Sequence, residues 1–162
     1  KVVSSLPFSS VVLPSSLPVV FLGKGFFSKK YIEVENDRLF LYNKLSSCVD
    51  LTSFFEIKNF IVGKYGPPPS SSLLLFDAKE ISISLGDSDI NKISCSDNLV
   101  EVFFSKMYVD GFDVLVKLLD VFFSKNSLSY GFIKKEGVLG FYFKKTNRFV
   151  SILKSLFGAL YE

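Results

Sequence analysis

A chain of 162 residues with a formal net charge of +3 is long enough for one domain with its own core and short for two full domains. Its hydrophobic fraction of 48%, with 19 phenylalanines, excludes general disorder and predicts an aromatic core. Histidine is absent and arginine is confined to Arg38 and Arg148, which argues against Ser-His or Cys-His nucleophiles and against dense bidentate recognition of phosphates or bases.

From the start, Leu6 to Phe27 is apolar but punctuated by Pro7, Pro14 and Pro18, a density that opposes a membrane-spanning helix. Residues 1–18 are expected to form an extended arm lying on the domain or on a partner. "KKYIEVE" then alternates Ile32 and Val34 with Glu33 and Glu35, the period of a half-buried strand, and "RLFLYN" continues the alternation. Asn36-Asp37 between them suits a tight hairpin. "CVDL" and "FFEIKNFIVG" read as further strands, "GKYGPPPSSS" as a loop, and "KEISISLG" as a strand with Ile81, Ile83 and Leu85 on one face. "GDSDINKISCSDN" reads as a polar loop and "NLVEVFF" as another strand. The period then changes: Tyr108, Phe112, Leu115, Leu119 and Phe122 recur at helical spacing, opposite Asp110, Asp113, Lys117 and Asp120. Further on, Phe132 and Ile133 precede a Glu136-Gly137 turn and Phe141 to Phe143 follow it, which predicts a hairpin; Phe149, Ile152, Leu153, Leu156, Phe157 and Leu160 mark a second amphipathic helix.

The order of roughly seven consecutive strands closed by one helix, together with "FFSKKYIEVENDRLFLYN", "CVDL" and "NLVEVFFSKMYVDGFDVLVKLL", resembles the pleckstrin homology superfamily. That resemblance implies a mostly β fold with α: an antiparallel seven-strand barrel or sandwich over residues 19–125, capped by its C-terminal helix, with residues 126–162 as a hairpin-helix appendage. The helix lacks the family's tryptophan, with Phe112 or Leu115 nearest to it, and Ile32 stands where lipid-binding members hold an arginine.

The resemblance also implies an anion or lipid-headgroup site at Lys24, Lys29 and Lys30, with Tyr42 and Lys44 beside it; lysines guarding sheet edges are the competing account. Lys134, Lys135, Lys144, Lys145 and Arg148 interleave with Phe141, Tyr142 and Phe143, a pattern suited to single-stranded nucleic acid, though a charged face beside a docking hairpin explains it as well. Asp87, Asp89 and Asn91 echo a calcium loop, but Lys92 and Asn98 occupy its glycine and glutamate positions, so no metal site is expected. Cys48 and Cys95 suit neither zinc nor a CxxC redox pair and read as free buried thiols.

The expected function is a non-catalytic pleckstrin-like interaction or scaffold module held in a larger assembly, docking through Phe149, Ile152, Leu153, Leu156, Phe157 and Leu160. A peripheral module for anionic lipid headgroups such as phosphoinositides is the first alternative, and a structural subunit of a ribonucleoprotein or organellar complex is the second. Protein subunits are the favoured partners, with anionic lipid next and nucleic acid less favoured. No cofactor, no small-molecule substrate and no enzymatic activity are expected, and an intracellular, organellar or membrane-peripheral location is favoured.

Overall fold

The computed structural model describes residues 17–86, 88–105 and 111–161. The arm at residues 1–16, Asp87 of the calcium-loop echo, and Tyr108 and Asp110 of the predicted helix lie outside the described residues. The rest falls into two compact units, residues 17–18 with 24–86 and residues 19–23 with 88–161.

The first unit is helical: α1 (Glu35–Ser47), α2 (Leu51–Tyr65) and α3 (Ser70–Ser84) occupy the region read as strands. The predicted hairpin at Asn36-Asp37 is instead the first turn of α1. Glu35 and Asp37 there complement the positive end of the helix, and Arg38 Nη1 donates to the Ile32 and Glu33 carbonyls at 2.8 and 3.0 Å, pinning the incoming chain. α2 is rich in β-branched and aromatic residues, yet Asp50 caps it by accepting from the Ser53 N–H at 2.8 Å. Gly66, at a φ of 90° that only glycine adopts cheaply, ends it. The loop expected at Gly63–Ser72 shrinks to Gly66–Pro69, and Pro69 leads directly into α3.

The alternation of Ile81, Ile83 and Leu85 with serines proves to be helical. Ser82 turns inward and its hydroxyl donates to the Pro18 carbonyl at 2.6 Å, so a buried polar group is satisfied. Phe27, Ile32, Leu41, Leu45, Cys48, Phe54, Ile61 and Phe76 form the core of this unit.

The second unit is a five-stranded sheet in the order β1 (Val19–Phe21), β2 (Ile90–Cys95), β3 (Leu99–Phe104), β5 (Val138–Lys144), β4 (Tyr130–Lys135), with helices α4 (Phe112–Lys125) and α5 (Phe149–Tyr161). β1 runs parallel to β2 and the other pairings are antiparallel. Here the periodicities hold. β3 is the strand expected from "NLVEVFF", and both amphipathic helices form. The β4–β5 hairpin turns at Glu136-Gly137, whose φ values of 51° and 80° suit a two-residue primed turn. β2 lies in the segment expected to be a polar loop; its polar residues dominate the pattern, yet Ile90, Ile93 and Cys95 are buried.

The inner face of the sheet carries Ile93, Val100, Val102, Phe104, Phe141 and Phe143, all buried. α4 lays Phe123 against it, with ring centroids 5.2 Å from Phe143 and 6.2 Å from Phe141.

The architecture is therefore mixed α/β, with a five-stranded open sheet and five helices among the described residues, and no closed barrel. The seven-strand pleckstrin-like barrel does not form, because the segment meant to supply its early strands folds as three helices.

Candidate functional site

The five residues expected to converge on an anion do not share one site. Lys29 and Lys30 line a cavity of about 770 Å³ with Tyr31, Glu33, Val34, Asp37 and Tyr65, so carboxylates stand among the ammoniums. The Tyr42 hydroxyl accepts from the Phe27 N–H at 2.7 Å and its ring packs on Phe27, a structural task. Lys44 lines a different groove, and Lys24 lines neither.

That second groove lies between α1 and α2. A connection of only three residues, Cys48 to Asp50, returns the chain so that the end of α1 faces the first half of α2. The groove, about 400 Å³, is lined by Lys44, Ser47 and Cys48 on one side and Ser53, Glu56, Ile57 and Phe60 on the other. Half-buried Lys79 braces the end of α1, its Nζ donating to the Ser46 carbonyl at 3.1 Å, and burial holds its pKa below the usual lysine value.

Exposed aromatic rings stand on the same two helices, Phe60 in the groove's lining and Phe40 under the groove's Lys44. Phe40 is 56% exposed and Phe60 51%. Each has a lysine one turn later that reaches back over it: Lys44 Nζ lies 5.7 Å from the Phe40 centroid and Lys64 Nζ 5.9 Å from that of Phe60. Lys64 also lies 5.3 Å from the Tyr65 ring. The strand reading missed this pairing. Its signal in the sequence is the four-residue spacing of Phe40 with Lys44 and of Phe60 with Lys64, which brings each pair together when the segment is helical.

The sheet has a second cavity, about 620 Å³, on its outer face, with Lys92, Ser94, Glu101, Phe103, Lys135 and Val138 among its lining. Lys135 bridges to Glu101 at 3.2 Å and sits over the Phe103 ring, so its charge is engaged. Gly140 lets Phe103 lie across β5, since a Cβ there would meet the Val102 carbonyl at 2.5 Å.

Strand alternation divides the basic-aromatic cluster near residue 140. Phe141 and Phe143 are buried on the inner face, whereas Tyr142 is on the outer face with its ring over Gly131. Lys145 is drawn to Phe149, 4.8 Å from its centroid. The rings needed for stacking on a nucleic acid are therefore not presented on one surface. Along α5, Phe149, Ile152, Leu153, Leu156 and Phe157 are buried and Leu160 is half-buried, so these side chains pack within the chain.

Both cysteines are free and buried. Burial raises the Cys48 thiol, despite the opposing charge of Lys79, and pushes Cys95 up to about 11. Neither is a thiolate at neutral pH. Among the described residues no group of three metal-binding side chains occurs, and no helix is long and apolar enough to cross a membrane. Asn91 and Lys92, from the calcium-loop echo, belong to β2.

Comparison with known proteins places this geometry. A family model described as the TRCF domain matches residues 23–112, a span that takes in all three helices of the first unit and the β2–β3 pair. Among solved structures, one titled as the crystal structure of the C-terminal domain of transcription-repair coupling factor superposes with a TM-score of 0.66 at 14% identity. The alignment covers 90% of this chain and 93% of that one. At that identity the likeness shows a shared fold. No curated protein matches. These matches overturn the pleckstrin homology resemblance, and with it the phosphoinositide-binding and pleckstrin-like scaffold readings.

Proposed function

The chain belongs to the TRCF domain family, and on that premise we propose that it is a non-catalytic protein-docking domain of a transcription-repair coupling machinery. The observation that carries the reading is Phe60, more than half exposed in the lining of the α1–α2 groove within the family-matched span, with the equally exposed Phe40 lying under the groove's Lys44. Fully burying a phenylalanine stabilises by ~1.5–3 kcal/mol relative to leaving it in water. An exposed ring in a cleft is therefore a ready anchor for another protein. The high thiol pKa values and the lack of histidine support a role without nucleophilic chemistry.

The test is purification of the intact protein with its native assembly, with nuclease added, comparing wild type with the double variant Phe40→Ala/Phe60→Ala. Retention of transcription or repair proteins by the wild type and their loss from the variant is expected. Retention by both, or dissociation by nuclease alone, contradicts the reading.

A further inference from the structure

We propose that the outward face of α4 is a second docking surface, distinct from the α1–α2 groove. Its occupant is an amphipathic helix of another protein, with carboxylates flanking the apolar stripe.

The surface is defined by a departure from the usual pattern. A helix that covers a sheet needs one apolar stripe and presents polar residues to water. α5 follows that rule, since Ser151, Lys154 and Ser155 are among its exposed positions. α4 does not. Leu115, Leu119 and Phe123 form its buried line, and Val114, Leu118 and Val121 form a second line that is 61%, 39% and 58% exposed. Spacings of four and three residues stack these three side chains on one face. Isolated exposed aliphatics are ordinary, whereas a contiguous line of them marks an interaction surface.

The charges around the line select the occupant. Lys117 stands three residues after Val114 and four before Val121, and Lys125 stands four after Val121, so both ammoniums border the line. Both are exposed, and neither is held in an ion pair among the described residues, whereas Lys135 is bridged to Glu101. The carboxylates of α4 lie more than a quarter turn round the helix from the line. Asp120 is on the β4 side, where it accepts from the Tyr130 hydroxyl at 2.6 Å, and Asp113 stands seven residues before it. The charges of α4 nearest the line are therefore positive. Carboxylates one turn from an apolar stripe on a partner helix would meet them in charge-assisted hydrogen bonds.

The same features set other occupants aside. A line of about 10 Å, two helical turns long, fits the ridge of a second helix. Another copy of this chain would set its own Lys117 and Lys125 beside the same ammoniums, which disfavours self-pairing. Three aliphatic side chains give a nucleic-acid base nothing to stack on, and two ammoniums make no phosphate track.

A displayed library of helical peptides, selected against the full chain at low salt, tests this. Enriched peptides are expected to carry apolar residues at spacings of three and four, with aspartate or glutamate beside them. Leu118→Ser and Val121→Lys should each weaken their binding about tenfold or more. Lys117→Glu and added salt should each weaken it as well, and Phe60→Ala should leave it unchanged. All four positions are exposed, and circular dichroism confirms folding. Enrichment of basic or uncharged helices that depend on Leu118 would overturn the acidic occupant. Failure to enrich any peptide that depends on Leu118 would overturn the α4 surface itself, and peptides that depend on Phe60 instead would do so while leaving the groove reading standing. A dimer of the chain alone in light scattering, dissolved by Val121→Lys, would assign the face to a second copy and overturn the proposal too.

Discussion

The two units treat the same residue type differently. In the sheet unit, Phe103, Phe104, Phe123, Phe141, Phe143, Phe149 and Phe157 are buried, while Phe21, Phe112 and Phe132 are exposed. In the helical unit Phe27, Phe54 and Phe76 are buried, but Phe26, Phe40, Phe55 and Phe60 each remain at least 40% exposed. A sheet face with two covering helices has room for the larger share of its rings. Three helices of at most 15 residues enclose only the narrow seam between them. What remains outside the seam is surface, and it is on this unit that the docking groove lies. The comparison separates rings that hold the fold from rings available to a partner, and substitutions test that separation.

The largest losses should come from the seams. Phe54→Ala and Phe123→Ala remove rings that are at most 1% exposed, and each should destabilise by ~3–5 kcal/mol. Denaturant unfolding measures the loss. Hydrogen exchange should place the weakened amides in α1–α3 for the first and in the β3–β5 sheet and α4 for the second. A loss below about 1 kcal/mol at either site would mean that the ring is not part of a packed core.

Gly140→Ala should cost about 1–3 kcal/mol, because the new Cβ meets the Val102 carbonyl and the Phe103 ring, and backbone must yield. Gly63→Ala, where nothing lies within 4 Å, is the control.

A smaller effect should appear in alkali. The Cys95 thiol rises from 9.0 to about 11 in the folded chain because it is buried. The unfolded chain therefore releases this proton first. Its contribution to stability is unchanged below pH 9 and declines between about 9 and 11. Cys95→Ala should flatten that part of the pH-stability profile; an unchanged slope would show that Cys95 is not its source.

The smallest effect on stability should be that of Phe60→Ala, within about 0.5 kcal/mol of wild type. A large loss would place Phe60 among the structural rings and erase the distinction between the two classes.

The same contrast explains what could be read from sequence. Along β3 and the β4–β5 hairpin, one face is buried and the other is not, so alternation reports directly on burial. α4 and α5 have wide apolar stripes facing the sheet or one another, and their 3.6-residue period is legible for that reason. In α1 only Leu41 and Leu45 are buried, while Leu39 and Phe40 face water, so the apolar residues do not trace one helical stripe. Run together as "RLFLYN" they imitate a strand. In α3 serines are buried and isoleucines are shared between faces, which again blurs the period. The helical signals that survive are local: the Asp50-x-x-Ser53 cap, Glu35 and Asp37 in a first turn, and the Phe40/Lys44 and Phe60/Lys64 spacings. One member of each pair, Lys44 and Phe60, lines the candidate groove. Lys24, Lys29, Lys30 and Lys44 converge only in a strand register, and the segment that holds Lys44 is helical instead.

The most direct measurement is photo-crosslinking from two exposed rings, one in each unit. A benzophenone amino acid is placed at Phe60 of α2 or at Phe132 of β4, in the intact protein within its native assembly. Nuclease-resistant adducts to a transcription or repair protein from Phe60, and none from Phe132, are what the account predicts. Adducts from Phe132 alone, or from Phe60 to nucleic acid alone, would contradict it.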